Sequence, residues 1–138
     1  MLLLLAGLCG RRASMPVMNS EAGFLMPPLS LLEGSNLGGK QLERCYQASV
    51  DGWTAIDFHR CVDALGSTVI VGRTVDGARI GGYSPTGWES RDDYRATPRA
   101  FIFCSAPCDD EDDRVWQRSA VLGPGDIAIF DYARTHCY

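Results

Sequence analysis

Residues 67–84, STVIVGRTVDGARIGGYS, set Asp76-Gly77 between two runs rich in β-branched and apolar side chains. Asp-Gly between strand-like runs is a strong local signal for an antiparallel hairpin, because glycine takes the positive φ that tight turns require. The stretch predicts one strand in STVIVGRT, a turn at Val75-Asp76-Gly77 and a returning strand in ARIGGYS. The returning strand carries adjacent glycines, Gly81 and Gly82. Glycine inside a strand weakens it by about 0.5–1 kcal/mol, through backbone entropy and the missing side chain. Some local geometry must make up that loss.

Upstream of the hairpin, QLERCYQAS (41–49) alternates and is closed by Asp51-Gly52, which predicts a first strand running into a turn. TAIDFHRCVDALG (54–66) opens on Thr54 with Asp57 three residues on, the pattern of a capping box. The helix predicted there, Thr54–Leu65, has Ile56, Cys61, Val62 and Leu65 largely on one face and Gly66 at a left-handed end. Downstream, RAFIFCS (99–105) reads as a strand with Phe101 and Phe103 on one face and Ile102 and Cys104 on the other. AVLGPGDIAIFDY (120–132) reads as a glycine-proline turn delivering a strand over Ile127–Phe130. One helix followed by several antiparallel strands predicts an α+β, mainly β chain, with two sheets packed as a sandwich and helices at the edge.

At 138 residues the chain is expected to hold one folded domain. A formal net charge of −4 provides no basic surface for phosphates, which argues against nucleic acid as a partner. Residues 1–39 mix leucine clusters with Pro16, Pro27, Pro28 and EGSNLGG, without helical or alternating period. They read as a disordered or targeting tail and linker, with one helical turn around Leu29–Glu33, ahead of a folded domain over 40–138. The opening run MLLLLAGLCGRR is too short to span a bilayer, which needs about 20 residues, and no basic residue precedes it. No transmembrane segment is expected; an intracellular, cytoplasmic location is, with a targeting signal left open by that run. Six cysteines at irregular spacing in unlike contexts are expected to be reduced thiols. A disulfide framework, or a zinc set drawn from Cys104, Cys108, His136 and Cys137, is the alternative.

The order of signals carries more than any one of them. Tyr46, Ala48-Ser49, Asp51-Gly52-Trp53, Ala55, Asp57-Phe58-His59, Asp63, Gly66, Thr68-Val69, Gly81-Gly82-Tyr83, Trp88, Tyr94, Pro98 and Ala100–Phe103 follow one another in register over about sixty residues. This series resembles the TLDc domain of the oxidation-resistance family. The resemblance implies a two-sheet antiparallel sandwich with flanking helices. It also implies a non-catalytic protein-interaction module, linked to protection against oxidative stress and to binding of the peripheral sector of the V-type ATPase. Gly81 and Gly82 would then sit where the strand bends or meets another backbone closely, with Tyr83 and Trp88 packed over the sheet edge. Two features depart from the family pattern. Cys61 stands one place earlier than the family's cysteine, so no role is carried over to it. The family's later glycine-rich strand region is reduced here to Gly123-Pro124-Gly125-Asp126 and one short apolar run, which reads as a C-terminally abbreviated domain.

The competing readings are a thiol- and histidine-dependent enzyme and a fragmentary copy with no independent function. His59 and Cys61 are two residues apart on a helix, roughly 200° apart around its axis, which keeps the pair from acting together. A histidine bonded across the seam between helix and sheet is the expectation for His59. Asp109–Asp113 lacks the alternating ligands and turn glycine of a calcium loop, and Gly123–Asp126 precedes a strand where a phosphate loop precedes a helix. The signature residues Asp51, Gly52, Asp57, Phe58, His59, Gly81, Gly82, Tyr83, Trp88, Phe101, Phe103, Gly123, Pro124 and Asp126 are accordingly read as architecture. No catalytic, cofactor-binding or metal-ligating residue is assigned, and no cofactor is expected.

Overall fold

A computed structural model describes the backbone of residues 4–11 and residues 26–107, 114–123 and 128–133 in full. The strands are β1 (Leu4–Arg11), β2 (Gln41–Gln47), β3 (Thr68–Arg73), β4 (Arg79–Ser84), β5 (Asp93–Arg95), β6 (Phe101–Ser105), β7 (Trp116–Ala120) and β8 (Ile129–Asp131). Two short helices, α1 (Ala48–Asp51) and α2 (Ala55–Val62), follow β2, and a 3-10 turn spans Leu29–Leu32. The main sheet is antiparallel throughout, in the order β2-β1-β3-β4-β6-β7, and β5 and β8 form a second, two-stranded antiparallel sheet. The α+β, mainly β expectation holds.

The hairpin centred on Asp76-Gly77 is β3–β4, with Val71 opposite Gly81 and Val69 opposite Tyr83. Its connection is five residues long. The Thr74 amide donates to the Ala78 carbonyl (3.0 Å), the Gly77 amide to the Thr74 carbonyl (3.1 Å), and Gly77 sits at φ +89°. One face of the sheet supplies Val69, Val71, Tyr83, Phe101 and Phe103, which pack against Leu31, Leu32, Leu37 and Leu42. Tyr83 stacks on Phe101 with ring centroids 4.9 Å apart, and its hydroxyl accepts the Asn36 amide at 3.0 Å. The Arg118 guanidinium lies 3.7 Å above the Phe101 ring and donates to the carbonyls of Leu31 (2.9 Å) and Glu33 (3.1 Å). One cation thereby fastens residues 31–33 across the core.

These contacts correct the reading of residues 1–39 as tail and linker. β1 lies inside the main sheet, paired with β2 on one side and β3 on the other, and Leu31, Leu32 and Leu37 are core residues upstream of Lys40. The strand over Ile127–Phe130 is shifted to β8 and pairs with β5; Pro124 and Asp126 lie outside the described residues. β5 and β7 have no counterpart in the sequence reading, because three residues cannot show alternation and an edge strand exposed along most of its length, QRSA, has none to show. Cys45 is disulfide-bonded, with its partner sulfur outside the described side chains, which corrects the reduced-thiol expectation there. Cys61 and Cys104 are free thiols.

The register explains Gly81. It faces Phe103 across the β4–β6 ladder, and a Cβ built at Gly81 would overlap the Phe103 ring and the Ile70 carbonyl oxygen. The methyl group is omitted so that the ring can lie on the backbone. Gly82 is different: its added Cβ would meet the Phe101 carbonyl oxygen at 3.6 Å, an ordinary contact.

Candidate functional site

α2 begins as the sequence predicts. Thr54 Oγ1 accepts the Asp57 amide at 3.1 Å while the Asp57 carboxylate accepts the Thr54 amide at 3.2 Å and its hydroxyl at 2.7 Å. These bonds, the Thr54 hydroxyl first, hold the Asp57 carboxyl below its ordinary range. The helix ends earlier than Leu65. Asp63 turns to extended backbone, and Ala64, at φ +64°, gives its amide to the Trp88 carbonyl at 3.1 Å. The buried face differs too: Ile56 and Leu65 are exposed, whereas His59 and Val62 are buried.

Around α2 a second core joins Tyr46, Ala48 and Val62 to Phe58, Cys61 and Trp88. Trp88 packs edge-on against Phe58 (5.1 Å) and His59 (5.9 Å), against the helix and not over the sheet edge. Gly52, at φ +115°, would place a Cβ inside the Asp57 side chain, and its carbonyl accepts the Tyr46 hydroxyl at 2.7 Å. Burial, then the charges of Asp57 and Asp51, push the Tyr46 hydroxyl pKa up. Asp51 accepts the Gln47 amide at 2.7 Å, and its carbonyl accepts the Arg60 guanidinium at 2.9 Å.

Beside this core lies a polar network built from four separate segments. His59 is only 5% exposed. Its Nδ1 is 2.6 Å from Asp63 Oδ1, and its Nε2 is 2.8 Å from the Tyr132 carbonyl oxygen and 3.4 Å from Asp131 Oδ1. The second Asp63 oxygen accepts the Ser90 hydroxyl at 2.5 Å. Asp131 is fully buried; its Oδ2 accepts the Glu89 amide at 3.0 Å and the Arg95 guanidinium at 3.1 Å, and its carbonyl accepts the Asp92 amide at 2.7 Å. Arg95 also pairs with the Glu89 carboxylate at 3.2 Å. A hydrogen bond from Arg91 is the main reason the exposed Glu89 carboxyl lies below its ordinary range. An open pocket of about 340 Å³, lined by Ile56, His59, Arg60, Asp63, Ser90 and Ala133, adjoins the network.

A carboxylate paired with an imidazole has the parts of a general base, so its geometry decides what it can do. A base must turn a free nitrogen toward the proton it takes. Here Nε2 faces a backbone carbonyl, which has no proton to give, and the Ser90 hydroxyl bonds to the carboxylate on the opposite side of the ring. Cys61 packs into the apolar cluster. The arrangement fastens α2, the loop before β5, β5 and β8 to one another, and the expected bond from His59 across the helix–sheet seam is the one to Tyr132.

The signature residues fall into two groups. Gly81, Gly82, Tyr83, Phe101 and Phe103 build the main-sheet core, and Asp51, Gly52, Asp57, Phe58, His59 and Trp88 gather around α2. Gly123 closes a described segment at φ +96°. Asp63, Ser90, Arg95 and Asp131 join the network without having been assigned from sequence. Asp63 has a local signal, the i,i+4 spacing from His59 on one helix; Asp131 has none, since it meets His59 only through the fold. Among the described residues no group of three His, Cys, Asp or Glu side chains is arranged to hold a metal, and no helix is long and apolar enough to cross a membrane. Cys108, His136, Cys137 and Asp109–Asp113 lie outside the described residues.

Comparison with protein families matches residues 28–109 to the TLDc domain. Neither the curated proteins nor the solved structures contain a match.

Proposed function

Because the chain belongs to the TLDc-domain family, we propose that it is a non-catalytic protein-interaction module that binds the peripheral sector of a V-type ATPase inside the cell and contributes to protection against oxidative stress. The observation that carries the proposal is the outer face of the main sheet. Ile80 is 42% and Ile102 67% exposed, on adjacent strands, with Gly82 directly opposite Ile102. Apolar side chains grouped on a flat face, with a glycine leaving a shallow gap beside them, suit the apolar centre of a protein interface.

Binding of the purified chain to a peripheral-sector preparation tests this reading. The parent is expected to bind, and Ile102→Arg to weaken binding at least about tenfold while shifting stability by no more than about 0.5 kcal/mol, as surface changes do. A parent that does not bind would remove the V-type ATPase from the proposal. A parent and an Ile102→Arg variant that bind equally would move the interface off this face.

A further inference from the structure

We propose that Ser90 is a phosphorylation site for an acid-directed protein kinase, and that phosphate there opens the His59–Asp63 clamp and loosens β8. Ser90 is exposed, in the irregular loop between β4 and β5, at φ +54°. The charges around it suit such a kinase. Glu89 precedes it and Asp92 and Asp93 come after it, while the one intervening cation, Arg91, is paired with Glu89 at 2.5 Å. The chain directly after the hydroxyl is therefore net negative. The adjoining pocket of about 340 Å³ leaves room for the added group.

The consequence stems from the bond that Ser90 makes to the end of α2. Its hydroxyl donates to Asp63 Oδ2 at 2.5 Å, and Asp63 Oδ1 holds His59 Nδ1. In the transfer, Ser90 Oγ forms a bond to the γ-phosphorus of ATP as the bond to the ADP oxygen breaks, and the hydroxyl proton passes to the kinase's base. The resulting ester oxygen has no proton to donate. A donor–acceptor contact becomes a contact between a phosphate carrying close to two negative charges and a carboxylate, which repel. Asp63 is driven from the ring of His59, the same ring that reaches the Tyr132 carbonyl at the end of β8. β8 is short: three residues pair with β5, and its buried Asp131 is held by Arg95 and by the very loop that carries Ser90, while the His59 ring ties it to α2.

The test uses the full chain, an acid-directed kinase and ATP. Mass spectrometry is expected to place phosphate on Ser90 and to find it absent from Ser90→Ala. Amide exchange over Ile129–Asp131 is then expected to accelerate at least about tenfold in the phosphorylated chain. Ser90→Ala, which loses the donor without adding charge, is expected to stay close to the unmodified parent. Phosphate found only at other residues overturns the site. Phosphate on Ser90 with exchange in β8 unchanged, or slowed through capture by Arg60 on the pocket wall, overturns the release.

Discussion

Gly81 and Gly82 carry the same side chain, none, and the sheet uses them oppositely. Gly81 lies under the Phe103 ring against the Ile70 carbonyl, so a methyl group there has no space, whereas at Gly82 it would make ordinary contacts. Gly81→Ala is therefore expected to destabilise by about 1–3 kcal/mol through overpacking. Gly82→Ala is expected to be neutral or slightly stabilising, since alanine restricts the unfolded chain more than glycine does. Urea denaturation of the two variants distinguishes them, and equal midpoints would contradict the packing argument. The sequence marks both glycines as unusual but cannot rank them. Which one faces Phe103 depends on the register between β4 and β6, strands separated by the whole 85–100 segment.

At the scale of the element, α2 shows what local sequence carries and what it does not. Thr54 and Asp57 meet through the first turn alone, so the capping box is legible in the sequence. Thr54→Ala is expected to cost about 1 kcal/mol. Asp57 has a folded-state pKa lowered by this box, so its contribution is present above the ordinary carboxylate range and is lost as pH falls through the lowered value. Asp57→Asn is expected to flatten the acid side of the stability–pH curve there; an acid limb identical to the parent's would show that the bond is not formed in solution. The buried face of α2 is not legible, because hydropathy favours Ile56 over His59, and only the approach of Trp88 and β8 puts the histidine inside. β1 escapes for a related reason. Its residues, LLAGLCGR, are an apolar run without alternation, which is also how the apolar part of a targeting segment reads. The same sheet needs a fastening at its far side. Arg118 on β7 supplies it with two carbonyl bonds and a stacked ring, so Arg118→Ala is expected to destabilise by about 1–2 kcal/mol. Arg118→Lys keeps the charge but not the planar fork and should recover less than half of that loss in thermal denaturation.

Across the whole molecule, the polar network is assembled from segments far apart in sequence: His59 and Tyr132 stand 73 residues apart and meet only when β8 is in place. That distance is why most of the candidate site is not legible. No pattern in TAIDFHRC announces a carboxylate in FDY, whereas the core residues Phe101 and Phe103 announce themselves by alternation. The geometry also makes a prediction that separates a clamp from a catalytic group. His59→Phe keeps a ring among Phe58 and Trp88 but offers no N–H to Asp63 or to the Tyr132 carbonyl, and it leaves Asp131 with one fewer facing donor. Groups left without partners in this way cost on the order of 2–4 kcal/mol. If the ring works by tying α2 to β8, much of that loss is already incurred once Asp131 is replaced. His59→Phe combined with Asp131→Asn is therefore expected to cost less than the sum of the two single changes, by about 1 kcal/mol or more. Strictly additive losses in denaturation would mean that the two residues stabilise the fold independently, and the ring would then have to be explained by its bonds to Asp63 and the Tyr132 carbonyl without Asp131.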